Sequence, residues 1–346
     1  MLPELKGLFM HVTPLAWVIT LVCLSAVLVF DVYEMRRKPH EPSMKECGIA
    51  ISIYISAAFL FALGIGLFAH PTNPAKTSWD YATEFIAGFL TEYSLSIDNL
   101  FVFIILLTAM NVPRKYQQFA LMCGIILALV FRGIFIALGA VIINTFAWAF
   151  FIFGIFLLYT AAKLVVEYRN THGSNADTEE KTDEGENRFI AWIKKIIPST
   201  DEYHDTHLSL KISGKRVFTP LFFVIVALGS IDVMFALDSI PAIFGLTQEP
   251  YLVFTANFFA LMGLRQLYFL LGGLLERLVY LSLGLSFILA FIGVKLFLHA
   301  AHHYGWVGFE VPTWLSLVVI IATLAVTAVA SLMKTKGQTK DEKVAE

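Results

Sequence analysis

Apolar runs close to twenty residues long recur along this chain from Leu15 to Met333. As a helix, that length crosses a hydrocarbon core of roughly 30 Å. Lipid supplies no hydrogen bonds, so a spanning segment must satisfy its backbone internally, and a long apolar run does so as a helix. Composition agrees. Of 346 residues, 58% are apolar and 15% charged, where a soluble domain carries nearer a quarter charged; the mean hydropathy is +0.72. The expected class is all-α, a polytopic transmembrane helical bundle of about nine spans. Their approximate limits are 13–33, 48–69, 82–108, 117–142, 146–167, 217–245, 251–275, 278–298 and 313–333.

The placement of Lys and Arg orients these spans. Alternate connections hold Arg36, Arg37, Lys38 and Lys45, then Arg114 and Lys115, then eight between Arg169 and Arg216, then Arg277, then Lys334, Lys336, Lys340 and Lys343. The other side holds Lys6 and Lys76. Nineteen against two, with no connection out of step, places the N-terminus outside and the C-terminus in the cytoplasm of a plasma-membrane protein by the positive-inside rule. Glu4 and Lys6 cancel, and the first apolar run is long enough to stay as a span, so no cleavable signal peptide is read here. Cys23, Cys47 and Cys123 lie apart with no CxxC, so neither a disulfide framework nor a thiolate metal site is suggested. A formal charge of −2 is uninformative about partners; no nucleic-acid partner is expected. The long polar connection, 168–216, reads as a cytoplasmic loop, disordered over 170–187, with an amphipathic surface helix over 189–197.

Two spans carry acids. Glu92 and Asp98 lie in TEYSLSIDNLFVF, and Asp232 and Asp238 in IDVMFALDSIPAIF, each pair offset from the other by 140 residues. An aspartate at mid-bilayer costs roughly 3 kcal/mol on insertion scales, so four matched acids call for a purpose. Under the charge pattern the third span runs inward and the sixth outward. Spans 3–5 and 6–8 are therefore expected to be inverted copies of one three-helix unit, with a substrate site at their midplane interface. Residues six apart on a regular helix point about 120° away from each other, so convergence of all four acids requires an opened turn. Pro241 supplies a cause in the sixth span, and Ser94, Ser96 and Asn99 a weaker one in the third.

The ligand chemistry is hard: carboxylates, the Asn99 amide and the Ser239 hydroxyl, with no Cys or His in either motif. That set suits Mn²⁺, Mg²⁺ or Ca²⁺ over Zn²⁺ or Cu⁺. Arg132, Arg265 and Lys295 lie inside spans and offset the negative charge, the two arginines as internal partners of the acids and not ligands. The bland alternative is that the acids are structural locks on those arginines. Asp31, just past the first apolar run, is either a guard at the cytoplasmic mouth or an interfacial acid. The run Asp201-Glu202-Tyr203-His204-Asp205-Thr206-His207 is rich in ligand atoms but reads as a solvated loop unless ordered.

These motifs, with EYSLSIDNLFVF at 92–103, FALDSIPAIF at 235–244, FALMGLRQLYFLLGGLLERLVYL at 259–281 and FIGVKL at 291–296, resemble the TerC family of integral membrane proteins over about 17–332. The resemblance implies a single TerC-type membrane domain over 1–346, related to small LysE-type exporters. It also implies manganese efflux from the cytoplasm and a link to tellurite resistance. Carried over by position, the acids fall on Asp31, Glu92, Asp98, Asp232 and Asp238, with Asn99, Ser239 and Arg265 beside them; Gly229 stands where many members have an acid. The expected activity is transport and not enzymatic, with Mn²⁺, then Ca²⁺, as cargo and no resident cofactor. The expected partners are the ion, the bilayer and other membrane proteins. Two rivals stand: a non-transporting membrane partner in a tellurite or metal stress-response complex, and an intramembrane aspartic protease on Asp98 and Asp238. The protease lacks a GxGD signature and leaves Glu92 and Asp232 without a role.

Overall fold

The computed structural model describes residues 12–37, 43–71, 76–110, 112–146, 148–172, 203, 207–212, 215–271, 280–309 and 311–345. Within them the helices are α1 (Pro14–Arg37), α2 (Met44–Phe68), α3 (Ser78–Ala109), α4 (Arg114–Thr145), α5 (Ala149–His172), α6 (Pro220–Phe244), α7 (Pro250–Leu261), α8 (Leu264–Leu271), α9 (Leu281–His303) and α10 (Thr313–Ala345). Nine spans long and apolar enough to cross a membrane are present among the described residues, with α7 and α8 sharing one of them. Local chemistry sets several starts. Ser43 with Glu46, and Thr77 with Asp80, form reciprocal capping boxes on α2 and α3, while α6 and α7 open on proline.

Helix α3 packs on α7, α4 on α6, α5 on α9, and α3 also meets α6. The spans of α3, α6 and α7–α8 form the buried interior. α1 is the most outward-facing, with Leu15, Val18, Val22, Val29 and Phe30 exposed, as expected of a helix that meets lipid. The α5–α9 contact depends on two glycines. A Cβ on Gly154 would lie 2.9 Å from the Gly293 carbonyl oxygen, and one on Gly293 would lie 2.9 Å from that of Gly154, so the two backbones touch where small residues permit it. Gly293→Val is expected to force these helices apart and cost about 1–3 kcal/mol or more, as overpacking does. Thermal unfolding of the purified chain in detergent would register this, and an unchanged midpoint would refute it.

Two expectations about helix regularity are corrected. The third and sixth spans do not unwind: α3 and α6 run without interruption through both acid motifs. Pro241 falls within the last turn of α6, and the helix ends three residues on at Phe244. The break lies instead in the seventh span, expected as one helix. Met262 is extended (φ −65°, ψ 132°) and Gly263 adopts φ +83°, a backbone that glycine enters without penalty. Tyr54 of α2 fills the notch; a Cβ on Gly263 would come within 2.8 Å of its ring. Finally, the long connection contains an antiparallel hairpin, β1 (Ser209–Ile212) with β2 (Lys215–Phe218), in the register Leu210↔Val217 and Lys211↔Arg216. The expected surface helix over 189–197 and the disordered stretch over 170–187 fall largely outside the described residues.

Candidate functional site

Four helices each contribute one polar side chain to a single buried cluster. Glu92 (α3), Arg132 (α4), Asp232 (α6) and Asn257 (α7) are 0%, 1%, 3% and 2% exposed. Arg132 donates from Nε to Asp232 Oδ2 at 3.2 Å and from Nη2 to Asp232 Oδ1 at 3.1 Å. Its Nη1 donates to Glu92 Oε2 and, at 2.8 Å, to Asn257 Oδ1. The planar guanidinium matches a carboxylate fork on one edge and reaches two further acceptors with its remaining nitrogen. One guanidinium facing two carboxylates leaves a formal surplus of one negative charge if all are ionised. Glu92 Oε1, Ser96 Oγ and Ser239 Oγ are buried without a hydrogen-bond partner. Ser239 nonetheless lies beside Glu92. These hard oxygens are uncommitted to the fold and fit the donor set of a divalent cation.

The integral membrane protein TerC family model matches residues 77–339. This chain belongs to the TerC family. The relatives of this TerC protein include the uncharacterized membrane protein Rv2723 of Mycobacterium tuberculosis, 39% identical over 342 residues, covering 96% of this chain and 82% of the relative. They also include the putative membrane-bound redox modulator Alx of Escherichia coli (33% identical over 316 residues, 91% and 93% covered) and that of Photorhabdus laumondii (33% over 325 residues, 94% and 96%). No solved structure matches.

The remaining acids of the two motifs are placed differently. Asp238 is turned to α5, where Thr160 Oγ1 donates to its Oδ1 at 3.2 Å and Lys163 lies near enough to act on its charge. Asp98 is six residues beyond Glu92 on α3; its side chain lies outside the described residues. Asn99 is buried on α3, and Lys295 sits half-buried on α9. The regular helices thus keep the 120° divergence: the first acid of each motif meets its counterpart on Arg132, and Asp238 faces elsewhere. Among the described residues, no three His, Cys, Asp or Glu side chains gather as a metal site does. A Cβ on Gly229 would come within 2.3 Å of the Leu127 side-chain methyl, so an acid there would require Leu127 to shift.

Arg265 does not join the centre. It begins α8, just past the break, and its Nη2 donates to Asp31 Oδ1 at 2.6 Å, with Gln266 Nε2 on the same oxygen at 3.2 Å. This buried pair ties α1 to the interrupted span. Of the 201–207 run, the described Tyr203 donates to the Met110 carbonyl at 2.9 Å and stacks on Tyr116, and burial pushes its phenol pKa up. The loop is therefore anchored at the C-terminal end of α3.

A second acidic cluster was not anticipated from the sequence. At the end of the bundle where α3 begins and α6 passes to α7, Glu84 accepts from Lys76 Nζ at 2.5 Å and from Thr247 Oγ1 at 2.6 Å. Thr247 Oγ1 in turn accepts from the backbone N–H of Glu249 at 3.3 Å. Glu84 stands two turns before Glu92 and is lost from view in a reading that treats span ends as interface. Glu249, just before Pro250, reads as an ordinary helix-start acid.

Proposed function

We propose that this TerC protein is a secondary transporter that carries Mn²⁺, and after it Ca²⁺, out of the cytoplasm through the Glu92–Arg132–Asp232–Asn257 cluster. The observation that carries the reading is a buried polar cluster with surplus negative charge, built from four spans and lined by hydroxyl and carboxylate oxygens left over from the fold. Ionisable groups inside a membrane mark ion pathways far more often than they stabilise. The helix pairing supports an inverted repeat: exchanging α3 with α6, α4 with α7 and α5 with α9 maps the α3–α7 contact onto α6–α4 and leaves α3–α6 and α5–α9 in place. The cluster then straddles the pseudo-twofold, with α3 and α4 from one unit and α6 and α7 from the other. Arg132 acts as a tethered counter-ion, because the guanidinium and a divalent ion compete for the same carboxylate oxygens. The positive-inside pattern orients the spans with the C-terminus in the cytoplasm; on this reading the ion moves outward across the plasma membrane, as the family resemblance implies, and the chemistry is transport without catalysis.

A second reading follows the name of the Alx relatives, putative membrane-bound redox modulator: a membrane partner that assembles a stress-response complex without moving an ion. Reconstitution separates the two. Proteoliposomes holding a Mn²⁺-sensitive dye are expected to show flux well above protein-free vesicles with the full chain, and equally with residues 173–187 deleted. Flux indistinguishable from empty vesicles would remove the transport reading and leave the complex-forming one.

A further inference from the structure

Beside the break at Met262–Gly263 lies a cavity of about 10 Å³, the room of one water molecule. Asp31 of α1, Tyr54 of α2, Met262, Gly263 and Arg265 stand on its walls. The interrupted backbone therefore lines a cavity, one of the few settings in which a membrane interior tolerates it. From α4 come Met122, Ile125 and Leu129, spaced as one face of a helix, and Arg132 is the next residue on that face. From α7 comes Leu261, one turn after Asn257. Arg132 and Asn257 are bonded to each other in the central cluster. Cavity and cluster are thus neighbours along the same two helix faces, about one turn or 5.4 Å apart, with Leu129 and Leu261 at the partition.

The polar wall holds atoms that the fold does not use. Asp31 Oδ1 accepts from Arg265 Nη2 at 2.6 Å and from Gln266 Nε2 at 3.2 Å. The second bond turns the amide N–H to the carboxylate and leaves the amide oxygen over. Gln266 Oε1 and Arg265 Nε are both buried without a hydrogen-bond partner, on side chains 5% and 8% exposed. Buried polar atoms in native proteins are normally satisfied, so an idle acceptor and an idle donor here need a reason. The α1 wall is also lightly held. Among its described residues α1 buries Leu24 and Asp31 alone. Its first turns are pinned to α7, where Thr20 and the Tyr251 hydroxyl share a hydrogen bond at 2.7 Å and Trp17 meets Tyr251 edge-on. Its other end rests on the Asp31–Arg265 pair.

We propose that this cavity is the entry to the ion route: once Arg265 swings off Asp31, the Asp31 carboxylate and the Gln266 amide oxygen are the first protein ligands that a hard divalent cation meets, and α1 moves on its Tyr251 pin to admit it. The proposal rests on the transport reading above. Carboxylate and amide oxygens suit the same hard ions as the centre. Under the charge pattern α4 rises from the cytoplasm, so the cavity lies on the cytoplasmic side of Arg132. The guanidinium and the arriving ion compete for the Asp31 carboxylate, and the pair re-forms behind the ion to close the way back.

The test sets Mn²⁺ flux in proteoliposomes against equilibrium Mn²⁺ binding to the detergent-solubilised full chain. Asp31→Asn and Gln266→Leu are each expected to slow flux on the order of tenfold, the loss of one charged contact on the way in. The equilibrium affinity of the central site is expected to stay at its wild-type value in both. If both variants transport at the wild-type rate while Asp232→Asn does not, the pair only locks α1 to α8; the entry is refuted and the central site stands. If the wild type shows no flux, both readings fall. Sidedness gives a second measure, read in membrane vesicles of either orientation. With Cys23, Cys47 and Cys123 replaced by alanine, Met122→Cys on the cavity wall is expected to react with a membrane-impermeant thiol reagent from the cytoplasmic face and not from the other, and faster once Arg265→Gln is added. Reaction from the opposite face, or at a rate that Arg265→Gln leaves unchanged, refutes the entry even where Asp31→Asn does not fold.

Discussion

Arg132→Met is expected to destabilise the folded chain by about 3–5 kcal/mol, the usual result of removing one partner from a buried ion pair. The methionine fills much of the volume, so packing loss is the smaller part. The cost comes from Glu92 and Asp232, 0% and 3% exposed, which keep their desolvation penalty and lose the guanidinium that offsets it. Neutralising those acids as well should return most of the stability. Arg132→Met combined with Glu92→Gln and Asp232→Asn is therefore expected to unfold at a temperature well above that of Arg132→Met alone, measured in the same detergent. Arg132→Lys should fall between wild type and Arg132→Met, because an ammonium keeps the charge but cannot present the paired Nε and Nη2 donors that Asp232 receives. A triple variant no more stable than Arg132→Met would mean that the arginine contributes through packing and not through charge.

This cluster shows where reading the sequence succeeds and where it stops. The spans are legible because lipid allows few alternatives to a twenty-residue apolar helix. The 140-residue offset between Glu92 and Asp232 marks both as important, and the structure brings those two together on one residue, Arg132. That Asp238 instead turns to Thr160 follows from the 120° divergence once α6 stays regular. The sequence leaves open whether Pro241 opens the helix, because that depends on how far the helix continues beyond it. The helix ends three residues later. The true interruption at Met262–Gly263 depends on Tyr54 packing into the notch from another helix, a tertiary fact that no local pattern carries. The grouping of Glu84 and Glu249 is hidden in the sequence for a related reason. Each sits at a helix start, where an acid is ordinary, and only folding brings them to the same end of the bundle around Tyr81. The short hairpin had a cue in Ser213-Gly214 between two four-residue segments, of the kind that marks a two-residue turn.

Asp232→Asn and Glu92→Gln are each expected to lower Mn²⁺ flux in proteoliposomes by about 100-fold while leaving the fold largely intact. Both replacements preserve shape and at least one acceptor for Arg132, so the penalty of the methionine variant does not arise. What changes is the charge: the cluster goes from a surplus of one negative charge to neutrality, and the divalent ion loses a carboxylate ligand worth about 3 kcal/mol, or roughly 100-fold. Asp238→Asn is expected to have a smaller effect, because its carboxylate is held by Thr160 away from Arg132. The ranking matters more than any single value. If Asp238→Asn abolishes flux as completely as Asp232→Asn, then Asp238 must leave Thr160 during the cycle and join the central oxygens, and α6 must rotate or open near Pro241 to bring it there. If Asp232→Asn and Glu92→Gln transport at the wild-type rate, their contacts with Arg132 are structural locks and the ion takes another route.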